Sequence, residues 1–363
     1  MLIPGCTIST FVKFALLPIT AVGVRGSKGV AATHTEDLAD ESGDVAGKAR
    51  LLTEFASRSA VIWLWVAMIV VYSLAEPGEF FRLSIFQTIF SSQQALVFLT
   101  LGLLCTISLG EYVDLSVCSI LGLTATMIPV LVVNHGWNTA AACVAAVAAA
   151  VVAGAFNGAL VVYLGVDVII VTLGTGTLLL GITLWMSNLG EVVGLSSSFA
   201  SIDLRDVGGL PISFYYGVAL VLIFAYILGY TPLGQHMRFV GASREVARLS
   251  GIRVNRIRFG AFVIGALLCG LGGLLATAGI GGFDPNSSQT YLLPTFATVM
   301  LGTAVIQPGR FNPIGTFVAI YFLATGILGI ELLGTAGWVP DVFYGGALVI
   351  AVAIATVVRR RLA

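Results

Sequence analysis

The chain has 363 residues, of which 58% are hydrophobic and 10% charged, with 18 basic and 18 acidic side chains. Soluble domains carry about 25% charged residues, and a mean hydropathy of +1.00 is more than a water-facing surface can accommodate, so a soluble fold is excluded and the chain is read as embedded in a lipid bilayer. The formal net charge of +0 supplies no basic field, so no nucleic-acid partner is expected.

In chain order, residues 1–58 stand apart and read as a cytoplasmic, largely disordered extension. The apolar run Phe11 to Val24 is interrupted by Lys13 and Pro18 and is too short to cross a core of about 30 Å. It is compatible with a signal-peptide core, an interfacial patch or a start codon assigned upstream of the real one, the last two being favoured. Residues 33–50 are polar, acidic and without aromatics, the composition of a disordered tail. A transmembrane domain then occupies 59–363. Its apolar runs predict an all-α, polytopic protein with about ten transmembrane helices, at roughly 59–75, 93–110, 115–134, 139–164, 168–186, 213–230, 259–279, 292–307, 313–330 and 341–358. The runs are too long and continuous for barrel strands, which alternate.

The turn Gly110-Glu111-Tyr112-Val113-Asp114 separates two of these runs with little room for a loop, and it is acidic. Two readings compete. In one it is a break within the membrane that faces a solute path, since a carboxylate in lipid otherwise costs about 2.5–3.5 kcal/mol on insertion scales. Glu111 and Asp114, with Gln94, Asn157 and Thr172 on neighbouring spans, are then the candidate substrate pathway. In the other it is a shallow headgroup turn in which Asp114 caps the following helix.

The segment 231–258, Thr231 to Arg258, is polar and basic between two spans, and it reads equally as a surface element that docks into a soluble partner, a candidate coupling loop, and as a solvated basic loop that only orients the protein. Pro232 and Gly234 are expected to end the preceding helix. Ser243 can cap a short helix from Arg244 to Ser250, with Glu245 in its first turn and Gly251 as its stop. Glycines 241 and 251 are read as hinges framing that helix. With ten spans and the N-terminus inside, 16 of the 18 basic residues fall on the cytoplasmic side and only Arg82 and Arg205 outside, which satisfies the positive-inside rule with both termini cytoplasmic. The glycines at 154, 158, 265, 270, 272 and 273 are expected at close helix contacts. The five cysteines and three histidines form no ligand pattern, so no cofactor or metal is expected. No phosphate-binding G-x-x-x-x-G-K-[ST] motif occurs, so any ATP hydrolysis must come from a separate subunit.

The segment GASREVARLSGIRVNRIRFGAF resembles the coupling segment of ABC-transporter permeases of the ribose/xylose-type sugar-import family. Thr231, Gly234, Gly241, Ala247, Ser250, Gly251 and Ile252 follow that family's pattern, whereas Gln235, Val240 and Ser243 depart from it. The resemblance runs from about residue 80 onward, through Asp114-Leu115-Ser116-Val117, Asn157-Gly158, Val171-Thr172-Leu173-Gly174-Thr175, Ala297 to Thr303, Gly315-Thr316 and Leu332-Leu333-Gly334. Glu111, Tyr112 and Cys118 stand where such permeases usually have glycine, and Pro340 where they have glutamine. The resemblance implies a permease subunit in the cell membrane, not an enzyme. It would work as a homo- or heterodimer with a cytoplasmic ABC ATPase and an external solute-binding protein, importing a small polar solute, by preference a monosaccharide. It assigns ATPase coupling to Gly241, Ser243, Arg244, Glu245, Ala247 and Gly251. The alternatives are a permease of the same broad family for branched-chain amino acids or nucleosides, and a secondary transporter working alone, which would carry more ionisable residues in its spans.

Overall fold

The computed structural model describes residues 61–75, 78, 80, 82–111, 114–307, 309–334 and 337–362, with side chains described as far as residue 351. The expected extension 1–58 lies outside these residues.

The described chain is helical throughout, with only two short antiparallel strand pairs, Val192–Val193 with Gly282–Phe283 and Asp206–Val207 with Leu210–Pro211. The helices are α1 (Val61–Ala75), α2 (Leu83–Ser91), α3 (Gln94–Ile107), α4 (Val117–Pro129, continued by a π turn to Asn134), α5 (Thr139–Val162) and α6 (Val168–Met186). After these come α7 (Ser197–Leu204), α8 (Ile212–Tyr230), α9 (Pro232–Ala242), α10 (Arg244–Leu249), α11 (Val254–Ile280), α12 (Leu292–Gly302), α13 (Pro313–Leu332) and α14 (Val339–Leu362). Local chemistry sets several starts. Asn138, Asp167 and Asn312 each accept a backbone N–H of the first turn of α5, α6 and α13, which satisfies donors that a helix cannot pair internally.

Among the described residues, seven helices are long and apolar enough to cross a membrane, with α2 and α3 counted as one path from Leu83 to Ile107. The membrane architecture is as expected, but the count of about ten is not reached by this criterion. The predicted span 292–307 is helical only from Leu292 to Gly302. Beyond it the chain turns on itself: Gly309 N–H donates to Thr303 O at 2.9 Å, and Ile306 holds a positive φ of 62°. The outermost candidates, Val61–Ala75 and Val339–Ala351, are apolar but short.

Helix α11 is the centre of the bundle and packs on α3, α4 and α5. Lipid offers no hydrophobic drive between helices, so association rests on close packing of small residues. The glycines expected at such contacts are there. A Cβ added at Gly154 would lie 2.7 Å from the Phe262 carbonyl, and one at Gly273 would lie 2.4 Å from that of Leu121. A second cluster joins α1, α12, α13 and α14, with Trp65 Nε1 donating to Thr325 Oγ1 at 2.9 Å.

The two ends of the bundle differ. At one, α9 and α10 meet the turn after α3. At the other, Gln87 donates to the Gly209 carbonyl at 2.7 Å and the 192–193 strand pairs with 282–283. Arg238, Arg244, Arg248, Arg253, Arg256 and Arg258 belong to the first end, whereas Arg82 and Arg205 belong to the second.

Candidate functional site

Residues 231–258 are more ordered than a polar loop. Pro232 does not simply end α8; it is the first residue of a new helix, α9. Thr231 Oγ1 accepts the Gly234 N–H at 3.4 Å, and a proline at this position loses no hydrogen bond. Helix α9 ends at Ala242, Ser243 extends at φ −158°, and its hydroxyl accepts the Val246 N–H at 3.4 Å to start α10. Glu245 stands in the first turn and Arg248 in the last, the arrangement the helix dipole favours. Gly251, at φ +80°, stops the helix as expected. Gly241 is not a matching hinge. It lies within α9, where a Cβ would come 2.4 Å from the Ser108 carbonyl, so glycine is needed there for close approach. Ala247 is fully buried and anchors α10, while Leu249 is 84% exposed on its outer side.

Arg244 reaches inward from α10. Its Nη2 lies 2.8 Å from Glu111 Oε1. Arg258, in the first turns of α11, places Nε at 2.6 Å and Nη2 at 2.5 Å from the same oxygen. Glu111 is only 3% exposed. A carboxylate at that depth is stable only if compensated, and here the two guanidiniums that compensate it lie 133 and 147 positions away in sequence.

Three residues on, the surroundings change from ionic to neutral and polar. Asp114 Oδ1 accepts the Ser116 N–H at 3.1 Å and the Ser116 hydroxyl at 2.7 Å. The Ser116 hydroxyl in turn accepts from Asn157 Nδ2 on α5 at 2.9 Å. The Leu115 N–H donates to Thr172 Oγ1 on α6 at 3.1 Å. Asp114, Ser116, Asn157 and Thr172 are all buried, and Asn157 Oδ1 has no partner among the described residues. One turn further along α4, Ser119 Oγ accepts from Gln289 at 3.2 Å. A polar seam thus follows the Ser116, Ser119 side of α4, between α5, α6 and the 3-10 turn Pro285–Tyr291.

The candidate pathway residues therefore divide into three groups. Asp114, Asn157 and Thr172 come together around Ser116, which sequence reasoning did not single out. Glu111 turns toward Arg244 of α10 and Arg258 of α11. Gln94 opens α3, about 20 Å from Ile107 at 1.5 Å per residue. There its amide donates to the Phe90 carbonyl at 2.5 Å and packs beside Gly217 and Tyr321. Ser119 and Gln289 were also missed. The signals for the serines were the place of Ser116 in the Asp114-Leu115-Ser116-Val117 motif and the three-residue spacing to Ser119, which puts both on one helix side.

Residues 85–352 match the family model described as branched-chain amino acid transport system / permease component. Over 299 residues the chain is 29% identical to the autoinducer 2 import system permease protein LsrC of Salmonella choleraesuis (strain SC-B67), covering 82% of this chain and 85% of that protein. It is 31% identical over 268 residues to the protein of the same name from Yersinia pseudotuberculosis serotype O:1b (strain IP 31758), covering 74% and 76%. No solved structure matches.

Proposed function

The chain belongs to the family of transport-system permease components that matches residues 85–352, and on that premise we propose that it is the membrane subunit of an ATP-driven importer for a small polar solute, by preference a monosaccharide or a molecule with similar hydroxyl chemistry. It is a transport subunit rather than an enzyme. A separate cytoplasmic ATPase hydrolyses ATP, an external binding protein delivers the solute, and a second permease chain completes the path. The finer topology of this reading has ten crossings with both termini cytoplasmic, the shorter α1, α12 and α14 included, and the arginine-rich end of the bundle inside.

The observation that carries the reading is the build of α10. A short capped helix presents Leu249 outward, where a soluble ATPase can take it, and sends Arg244 inward to Glu111. Glu111 then acts as a strut between the coupling helix and the transmembrane core. The solute path is the polar seam of Asp114, Ser116, Asn157, Thr172 and Ser119, with Gln94 at a separate station closer to the outer face. Hydroxyl and amide groups suit a neutral polar solute, since each offers both donors and acceptors.

Uptake into vesicles carrying this chain, its ATPase and its binding protein tests the proposal. Uptake should require both ATP and the binding protein, and Glu245→Arg on α10 should leave a folded permease whose ATPase is no longer stimulated by loaded binding protein. ATP-independent uptake by the chain alone would establish a secondary transporter instead.

A further inference from the structure

At the arginine-rich end of the bundle, α3, α8, α9 and α11 enclose a cavity of about 320 Å³. It is lined by Leu104, Phe224, Leu228, Met237 and Ile264 among other apolar residues, and by a single charged residue, Arg256. Its volume is about ten times the share of one water in the liquid, far more than the gaps of a close-packed interior. The lining side chains other than Arg256 offer no amide, hydroxyl or carboxylate, so a polar solute would find nothing to replace its hydration.

Arg256 distinguishes this cavity from a packing gap. Its guanidinium makes no hydrogen bond or ion pair among the described residues, whereas Arg244 and Arg258 nearby both hold Glu111 and Arg238 is occupied by the Leu228 carbonyl. The cavity also opens sideways: Leu233 and Ile264 on its rim are each 45% exposed, toward where lipid would lie. From Arg256 to Ile264 the lining of α11 rises about 12 Å into the bundle. Gly260, between them, faces open space, since a Cβ there meets no atom within 4 Å. An unpaired cation at one end and a dry apolar slot at the other are complementary to an anionic amphiphile.

We propose that this cavity binds an anionic phospholipid of the cytoplasmic leaflet, with its phosphate on Arg256 and part of one acyl chain between α8 and α11, and that the bound lipid braces α9 behind the coupling helix. The assignment to that leaflet rests on the orientation proposed above; the binding itself does not. Native mass spectrometry of the full chain, released into mild detergent from vesicles of equal phosphatidylglycerol and phosphatidylcholine, reads it directly. The wild-type chain should retain phosphatidylglycerol over phosphatidylcholine by about fivefold, the value of one arginine at the lipid surface. Arg256→Gln should abolish that preference. Gly260→Leu should fill the slot and lose both lipids while unfolding at the wild-type temperature. Should Gly260→Leu unfold early, Ile264→Trp at the rim is read in its place. Equal retention of the two lipids by the wild type, equal retention of added oleate, or undiminished phosphatidylglycerol on the filled variant would each overturn the proposal. Because the readout is bound mass, it holds or fails independently of transport. In the assembled importer, exchanging phosphatidylglycerol for phosphatidylcholine should then lower stimulated ATP hydrolysis in the wild type but not in Arg256→Gln.

Discussion

Replacing Glu111 by glutamine keeps its volume and removes its charge, which isolates the electrostatic part of the bridge. The two arginines it leaves behind are not equivalent. Arg258 is 12% exposed and Arg244 is 42% exposed. Stranding a buried charge by removing its partner costs about 3–5 kcal/mol, whereas a solvated pair contributes about 0–1 kcal/mol. Nearly all of the cost of Glu111→Gln should therefore pass through Arg258, about 3 kcal/mol in total once partial exposure is allowed for. Arg258→Gln should cost less than Glu111→Gln, because Glu111 keeps Arg244, and Arg244→Gln should cost least, about 1 kcal/mol or below. Double-mutant cycles by denaturant titration of the detergent-solubilised chain give the coupling energies. The expectation is about 2 kcal/mol for the 111/258 pair and under about 1 kcal/mol for the 111/244 pair. On the proposed coupling role of α10, the 111/244 pair should nevertheless matter more for ATP-driven uptake in the assembled importer, since only Arg244 belongs to that helix. Glu111→Gln within about 0.5 kcal/mol of wild type, a typical surface substitution, or a 111/244 coupling equal to that of 111/258, would refute this burial argument.

Cysteine labelling gives the orientation: Ser243→Cys and Asn286→Cys should react from opposite faces of a sealed vesicle, and reaction from the same face would remove the topology. Ser116→Ala deprives Asp114 of a donor and Asn157 of an acceptor, so it should cost about 1–3 kcal/mol and slow uptake with the binding protein saturated; unchanged uptake would take the seam out of the path. Gly241→Ala forces a Cβ to within 2.4 Å of the Ser108 carbonyl and should cost about 1–3 kcal/mol through overpacking, whereas Gly251→Ala should cost about 1 kcal/mol through backbone strain at φ +80° with no clash. Equal effects of the two, read in the same titration, would mean that Gly241 is a hinge after all.

Most spanning helices were legible because lipid-facing runs are continuous, and 168–186 coincides with α6 to the residue. Helix α10 was legible because its signals are local: a serine cap, an acidic first turn and a stop glycine within nine positions. What escaped was nonlocal or concealed by composition. Leu83–Ser91 mixes serine, threonine and glutamine with its apolar residues, so its helix did not register as part of the span that begins at Gln94 in the hydropathy pattern. The length of α12 was overestimated because residues 304–306 stay apolar while their backbone turns. Glycine at 241 reads identically whether it bends or admits a neighbour, and only the position of the Ser108 carbonyl decides between them. The arginine partners of Glu111 were visible as basic residues but not as its partners. The expense of an acidic turn beside the membrane pointed in the sequence to a cavity or a headgroup turn, whereas Glu111 is compensated by the two arginines.

These groups also bear on how a closed seam opens. Ser116 and Asn157 are fully buried, so on the proposed path a solute would have to separate α4 from its neighbours. Three side-chain hydrogen bonds hold that seam: Asn157 to Ser116, Leu115 to Thr172, and Gln289 to Ser119. At a net of about 0.5–1.5 kcal/mol each, they amount to about 1.5–4.5 kcal/mol, within reach of a shift in packing between two states. Two of the three are made by residues within five positions of Glu111. A movement of α10 that carries Arg244 away would leave Arg258 as the only guanidinium on that carboxylate and shift the electrostatic balance of the whole turn. The proposed path and the proposed coupling helix would then meet between Glu111 and Ser116, at a charge that is stable in burial only while its guanidinium partners stay in place.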